Sequence, residues 1–440
     1  MNIPTNRIIL IGVAAAIFLL FILLLTGVIP GVKKPVEPGI KDTLEVWGMN
    51  ETSESFQTVL LGLQRFKGLT LNYKNFETLE EYEAAVLEAL ATGAGPDIFM
   101  IENDMLLKYA NKLAPVPPEK FSTFQLSQSF PKVVGKDFTS GGNIYALPLS
   151  LDTLALLYNR EIFDQHAAFP PTTWDELIAL VPKLAVYGQG RQILVPATSI
   201  GGSNKNITRA VDILYLLMAQ MDAGKVATTG KPPTLTSPDS IRAITFYKQF
   251  ADAGSSAYTW NATLPGDTEL FTQGKLPMIF AYASDVARIK TAAPFLDLRV
   301  VAVPQIKNTA KKVAFPHYFG FAVSRQSYYQ DLAWDFILEM TTQAENARAY
   351  VQTTGHPPAL LSVIGEYLND PTFSVFANQT FIADSWISGN PSAFNALVSR
   401  MIESVTGGIQ APSQAAQETQ NQITEIIERL TPPPVAPKPF

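Results

Sequence analysis

The sequence predicts an α/β protein of two lobes, each a mostly parallel sheet flanked by helices, preceded by one N-terminal transmembrane helix. Three observations predict it. Apolar runs of strand length alternate with amphipathic stretches at helical spacing, the pattern of a parallel sheet with crossover helices on both faces. At 440 residues the chain exceeds one ordinary core, so two domains of roughly 150 to 200 residues each are expected. Ile8 to Ile29 is an uncharged apolar run of about 22 residues, enough at ~1.5 Å per residue to cross a ~30 Å hydrocarbon layer.

That run reads as an uncleaved signal anchor. Cleaved signal peptides have apolar cores of roughly 7 to 15 residues followed by small residues, whereas this one exits through Thr26-Gly27-Val28-Ile29-Pro30. Orientation is weakly encoded, since Arg7 on one side opposes Lys33 and Lys34 on the other. Residues 1–30 are therefore assigned to the anchor and 31–42, with Pro35 and Pro38, to a stiff linker.

The globule opens at Thr43. Leu44-Glu45-Val46-Trp47 alternates as a strand and stops at Gly48, and Ser53 to Phe66 can form a helix. A second strand over Thr70 to Asn75 leads to Thr78-Leu79-Glu80-Glu81, a capping box, with Tyr82, Ala85, Val86, Ala89 and Leu90 on one helical face and Gly93 and Gly95 closing it. Asp97 to Ile101 is the next strand. Ile144 to Leu149 contains Pro148, tolerated only where a strand ends or lies at an edge, as in a chain crossing between domains. Leu154 to Tyr158, bounded by Asp152 and Asn159, suits a buried strand of a parallel sheet. Pro170-Pro171 stops the chain, and Thr173 and Glu176 form a second capping box. Trp174, Leu177, Ile178 and Val181 mark a helix that Pro182 should kink or end. Asp331 to Tyr350 reads as one helix, with Ala333, Phe336, Ile337 and Met340 on one face. The proline-rich tail, 431–440, is expected to be disordered.

Composition narrows the function. A chain with 47% hydrophobic and 16% charged residues is globular, and a net charge of -6 with no basic run argues against a nucleic-acid partner. With no Cys, disulfides, thiolate nucleophiles and Cys-based zinc clusters are excluded.

Asn143 to Leu180, reading NIYALPLSLDTLALLYNREIFDQHAAFPPTTWDELIAL, resembles the crossover and second-domain entry of the family 1 extracellular solute-binding proteins, the maltose-binding-protein type that serves ABC importers. Further matching segments follow in order. They are Glu45 to Gly48, Gly95 to Phe99, Leu113 to Val116, Phe271 to Lys275, Ala302 to Pro304, Phe315 to Ser324, Thr354 to Pro358 and Gln410 to Leu430. Order and spacing carry the resemblance, which covers about Thr43 to Leu430; no single motif is specific. One departure stands out: where relatives commonly carry a Gly-Pro-Trp or Gly-Trp that stacks on a sugar, this chain has Met278 to Ser284, with Tyr282 as a substitute ring.

The resemblance implies a periplasmic-binding-protein-like fold of type II. Its N-lobe would be 43–150 plus 314–352 and its C-lobe 151–313 plus 353–430, with hinge closure at crossovers near Ser150, Ala314 and Gly355. It implies a monomeric, extracytoplasmic receptor with no cofactor and no catalysis. Its partners would be a small polar solute, a sugar or oligosaccharide, and ABC permease subunits, with the N-terminal helix replacing the lipid-modified cysteine of many relatives.

In open α/β sheets ligands sit beyond the carboxyl ends of the strands. That rule selects Gly48, Met49 and Asn50; Glu102, Asn103 and Asp104; Asp152 at the crossover, where the family commonly has a ligand-contacting acid; Tyr282 and Ser284; and His317, Tyr318 and Phe319 at the return. Trp386 would cap the cleft. The expected ligand set is Met49, Glu102, Asp104, Asp152, Tyr282, Ser284, Tyr318 and Trp386.

Each has a plainer reading. Glu102 or Asp104 serves equally as a helix N-cap, Trp386 and Trp47 as core, and His317 as a structural residue with no partner nearby in sequence. Tyr258 and Trp260 are a lid or local packing. Two rival functions remain: a glycoside hydrolase built on two carboxylates, although G-x-S-x-G, H-E-x-x-H and Walker A motifs are absent, and a sensor that hands its closed form to another surface protein.

Overall fold

The computed structural model describes residues 43–49, 66, 69–223, 234–386 and 388–430. The expected anchor, linker and tail, Asn50, and all but the last residue of the helix over Ser53 to Phe66 lie outside the described residues. Among the described residues no helix is long and apolar enough to cross a membrane.

Strand β1 (Thr43–Met49) buries Leu44 and Val46 on one face by simple alternation and runs parallel to β2 (Thr70–Phe76). Helix α1 (Leu79–Thr92) starts where Thr78 Oγ1 accepts from Glu81 N–H, so half of the expected capping box is made. It ends at Gly93, whose φ of 72° needs a residue without Cβ strain. Strand β3 (Ile98–Glu102), buried throughout, lies parallel to β1 on its other side. Helix α2 (Leu106–Tyr109), β4 (Leu113–Ala114) and α3 (Lys132–Phe138) follow. The chain then leaves through β5 (Leu147–Pro148) and β6 (Asp152–Thr153), with Pro148 at the strand end where it was expected.

The second lobe is built on β7 (Ala155–Asn159), α4 (Trp174–Leu184), α5 (Ala210–Gln220), β8 (Met278–Ala281), α6 (Ala283–Ala292) and β9 (Leu298–Ala302). The full capping box of Thr173 and Glu176 starts α4, which continues two residues past Pro182 before Ala185 turns extended. The chain returns through β10 (Pro316–His317) and β11 (Phe319–Ser324). Helices α7 (Gln330–Thr342) and α8 (Ala344–Thr354) come next, and α9 (Pro391–Thr406) and α10 (Pro412–Leu430) close the second lobe.

Two expectations are corrected. The helix over Asp331 to Tyr350 is two helices, because Gln343 adopts an extended backbone of φ -89° and ψ 121°. The hydroxyls of Thr341 and Thr342 bond back to the carbonyls of Ile337 and Leu338, a side-chain competition that favours a helix end there.

The sheets are also less parallel than predicted. The first has the order β2-β1-β3-β11-β4 with β5 also on β11, and β11 runs antiparallel to each of its neighbours. The second, β8-β7-β9, pairs β7 antiparallel to both flanking strands, so β7 is not a parallel-sheet strand. A strand buried on both faces reads as a continuous apolar run whatever its direction, so Leu154 to Tyr158 carried no signal of orientation.

Each sheet has its own core. One gathers Leu44 to Leu151 with Tyr318 to Val363, the other Leu154 to Phe315 with Phe376 to Ile427. The segments between them run together: β6 pairs with β10, Leu151 N–H donates to Pro357 O at 3.1 Å, and Ala359 N–H to Leu149 O at 3.1 Å. Ala359, Leu360 and Val363 lie beyond the expected third crossing at Gly355 yet pack into the first core, whereas Phe373 packs against the second.

Candidate functional site

The paired crossings β6 and β10 place His317 between two spaces of different character. One is an open cavity of about 510 Å³ reached by Met49 at the carboxyl end of β1, by Met100 in the middle of β3 and by Tyr318 and Phe319 from the return crossing. Arg209, Ser284 and Arg288 enter it from the second lobe, and Tyr350 and His356 complete the wall. The other is a narrow pocket of about 20 Å³ that holds Glu102, Asp104, Asp212, Tyr215 and Trp386. His317 Nε2 lies 2.8 Å from Glu102 Oε1. Burial acts to lower the imidazole pKa, but the Glu102 carboxylate outweighs it and the pKa is raised.

Of the expected ligand set, Met49, Asp152, Ser284 and Tyr318 line the open cavity. Asp152 has a task that nothing in its local sequence reveals. Its Oδ1 accepts from the N–H groups of Thr153 at 2.8 Å and Ala283 at 3.0 Å, and its Oδ2 from Ser284 N–H at 3.1 Å, so it caps α6 from 131 residues away. Burial pushes this carboxyl pKa up, against the pull of those backbone N–H groups.

Tyr282 is buried rather than presented to the cavity. It is 1% exposed, the Arg209 guanidinium lies 4.7 Å above its ring, and His317 sits 5.4 Å away. Arg209 is fixed in turn by Asp285, with Nε to Oδ2 at 3.1 Å and Nη2 to Oδ1 at 2.9 Å. Arg288 contacts the same carboxylate. Although burial opposes it, the Arg209 charge holds Asp285 below its usual range.

Glu102, Asp104 and Trp386 are gathered in the narrow pocket. Neither acid caps the helix that follows, since Met105 occupies the cap of α2 without a side-chain bond. Asp104 instead accepts from the Ser388 hydroxyl and, through its main-chain carbonyl, from Gly389 N–H at 3.0 Å. Gly389 has φ 77°, and a Cβ there would come within 3.0 Å of Leu107. Burial pushes the Asp104 carboxyl well up, and neighbouring Glu102 adds to the effect. Trp386 stacks on Tyr215 with ring centroids 4.5 Å apart and 21° between planes.

Asp137 on α3 anchors the same seam. It accepts from Tyr318 Oη at 2.8 Å, Asn103 Nδ2 at 3.2 Å and the Ser385 hydroxyl. Its carboxyl is pushed up to about 7 by burial, which these donors only partly offset. Lys136 bonds Asp384 and, at 2.7 Å, Ser385 O, while Glu83 reaches Ser392 Oγ at 2.9 Å. Residues 384–386 and 388–392 thus fasten the second lobe to the first. Glu102 Oε2, Asp104 Oδ1 and Trp386 Nε1 are buried there without a protein hydrogen bond among the described residues.

Tyr258 and Trp260 pack locally: Trp260 is fully buried, and Tyr258 stacks on Tyr187. Sequence reasoning missed Arg209, Arg288, Asp285, Tyr350, His356 and Asp137. Asp285 and Arg288 lie within two turns of the strand end at Ala281, so extending the strand-end rule into the following helix would have found them. Arg209 and Asp137 had no comparable signal, because neither follows a strand.

Comparison with known proteins agrees with this architecture. The chain is 24% identical over 307 residues to the maltotriose-binding protein of Pyrococcus abyssi, covering 67% of this chain but 61% of that protein. Among solved structures it superposes with a TM-score of 0.71 on the ABC substrate-binding protein Lmo0181 from Listeria monocytogenes in complex with cycloalternan. That match has 18% identity and covers 88% of this chain and 99% of the other. The sugar-binding protein MalE from Xanthomonas citri gives a TM-score of 0.72 at 16% identity, covering 88% and 98% of the two chains. At such identities the superpositions establish the shared two-lobed fold. The family model for bacterial extracellular solute-binding proteins matches residues 63–375, and the chain belongs to that family.

Proposed function

We propose that the protein is an extracytoplasmic receptor that captures a carbohydrate in the open interlobe cavity and delivers it to the permease of an ABC importer. The observation that carries this reading is the composition of the cavity wall. Both lobes and their crossings contribute to it, with the half-buried ring of Phe319 beside hydrogen-bonding groups. The named sugar-binding relatives and structural neighbours support it. Met49, Ser284, Tyr318 and Phe319 are the proposed contacts, with Asp152 holding the start of α6 in place. The lobes would be 43–151 with 318–367, and 154–315 with 373–430, the crossings lying between these stretches. Closure rocks one lobe on the other about the crossings, and binding favours the closed form. The receptor works as a monomer held at the membrane by Ile8 to Ile29, and no bond is made or broken in the bound sugar.

A thermal-shift screen of the purified chain against sugars, polyols, amino acids and peptides tests this. A ligand at 100 times its dissociation constant adds about 2.7 kcal/mol. Stabilisation by non-carbohydrates alone would remove the sugar assignment, and turnover of a chromogenic glycoside would replace the receptor with a hydrolase.

A further inference from the structure

The open cavity supplies an unequal balance of hydrogen-bonding partners. A neutral sugar presents hydroxyls, each both donor and acceptor, so a wall suited to it offers acceptors as well as donors. Here the carboxylate on the wall, Asp152, already accepts three backbone N–H groups. The other ionisable groups lining the space, apart from tyrosine, are cationic or become so on protonation: Arg209, Arg288, His317 and His356.

Their counter-charges do not reach the space. Arg209 and Arg288 share one carboxylate, Asp285, which is 8% exposed. Asp212 stands 3.8 Å from Arg209, and Glu102 is engaged by His317 on the side of the narrow pocket. Arg209 thus has two carboxylates, Asp285 and Asp212, whereas Arg288 has only a share of Asp285. Arg209 is immobilised by its bonds to Asp285 and by the Tyr282 ring. Arg288 differs: its side chain is 75% exposed, and its Nη2 alone is bonded to protein among the described residues. A guanidinium carries five donors in a planar fork that matches a carboxylate or phosphate two-pronged. A fixed arginine beside an exposed one, with the half-buried Phe319 ring on the wall, is an arrangement for a ring bearing an acid group.

On the reading of this cavity as a carbohydrate site, we infer that its ligand is an acidic sugar, carrying a carboxylate or phosphate group that Arg288 grasps beside the fixed Arg209–Asp285 pair.

Calorimetric titration of the full chain with matched probes tests this: glucuronate against glucose, galacturonate against galactose, trigalacturonate against maltotriose, glucose 6-phosphate against glucose, and inorganic phosphate alone. The expected result is that the acidic member of at least one pair binds tenfold or more tightly than its neutral partner. That ratio should shrink as salt is raised. Arg288→Gln should reduce it by about tenfold, with Arg288→Lys restoring part of it, because Lys keeps the charge but not the fork. The carboxylate and phosphate arms identify which acid is preferred. Neutral members binding as tightly as acidic ones would overturn the acid preference and leave the carbohydrate site standing. Binding of phosphate with no sugar bound, or of no probe at all, would remove the carbohydrate reading and this inference with it.

Discussion

The two halves of the interlobe seam differ in kind although both lie beyond the carboxyl ends of the strands of the first sheet. On the side of β1 and β6 the lobes stand apart around a cavity of about 510 Å³. On the side that follows β3 they are stitched through Asp104, Asp137, Glu83 and Lys136 to residues 384–386 and 388–392, leaving about 20 Å³. A strand-end rule locates the seam and says nothing about which half is open. The difference is made by residues more than 240 positions apart in sequence, such as Asp137 and Ser385, which are 248 apart.

The contrast makes opposite predictions for residues that sequence alone placed in one set. The largest effect is expected in the fastened half, where Trp386→Ala should cost about 3–5 kcal/mol of stability in the unliganded protein through loss of a buried ring stacked on Tyr215. Thermal unfolding reads this directly. Unchanged melting with weakened binding would instead return Trp386 to the ligand site.

Next is a pH effect at the same seam. Because burial raises Asp137 to about 7 in the folded protein, the folded state holds its proton more tightly than the unfolded chain. Its contribution to stability is therefore complete below about pH 4 and is lost as pH rises towards 7, on the order of 2–4 kcal/mol in all. Asp137→Asn, which stays neutral, should gain on wild type across that window. Parallel melting curves for the two proteins from pH 4 to 8 would contradict the assignment.

A smaller loss, about 1–2 kcal/mol, is expected for Asp152→Ala in the absence of ligand, since three backbone N–H groups lose their acceptor. Weaker binding without any loss of stability would show that Asp152 serves the ligand rather than α6. The smallest effect belongs to Phe319→Ala in the open half. Its half-buried ring lines the cavity, and its removal should weaken carbohydrate binding by threefold to tenfold, about 0.5–1.5 kcal/mol of ring contact, as read by calorimetry.

Much of the architecture was legible in the sequence because its signals are local. The alternation in Leu44 to Trp47, the Thr173–Glu176 capping box and the Pro148 crossing each depend on a few adjacent residues, and all three appear in the structure. Strand direction was not legible, because the apolar run of β7 looks alike in either orientation. Among site residues, Met49, Asp152, Ser284 and Tyr318 could be placed at the cavity by their position after strands. The role of Asp152 could not, since the N–H groups it holds belong to Ala283 and Ser284. Tyr282, placed by analogy with a stacking ring, is covered by Arg209, a residue at no strand end.

The absence of native cysteine permits the most direct measurement. Single-cysteine proteins Ser284→Cys and Ser388→Cys place one thiol in each half of the seam, and the rate of maleimide labelling is followed with and without a saturating carbohydrate found in the thermal screen. The first should label rapidly and be slowed strongly by the sugar, and the second should label slowly at a rate the sugar leaves unchanged. Protection of the thiol at position 388 with indifference at position 284 would contradict it.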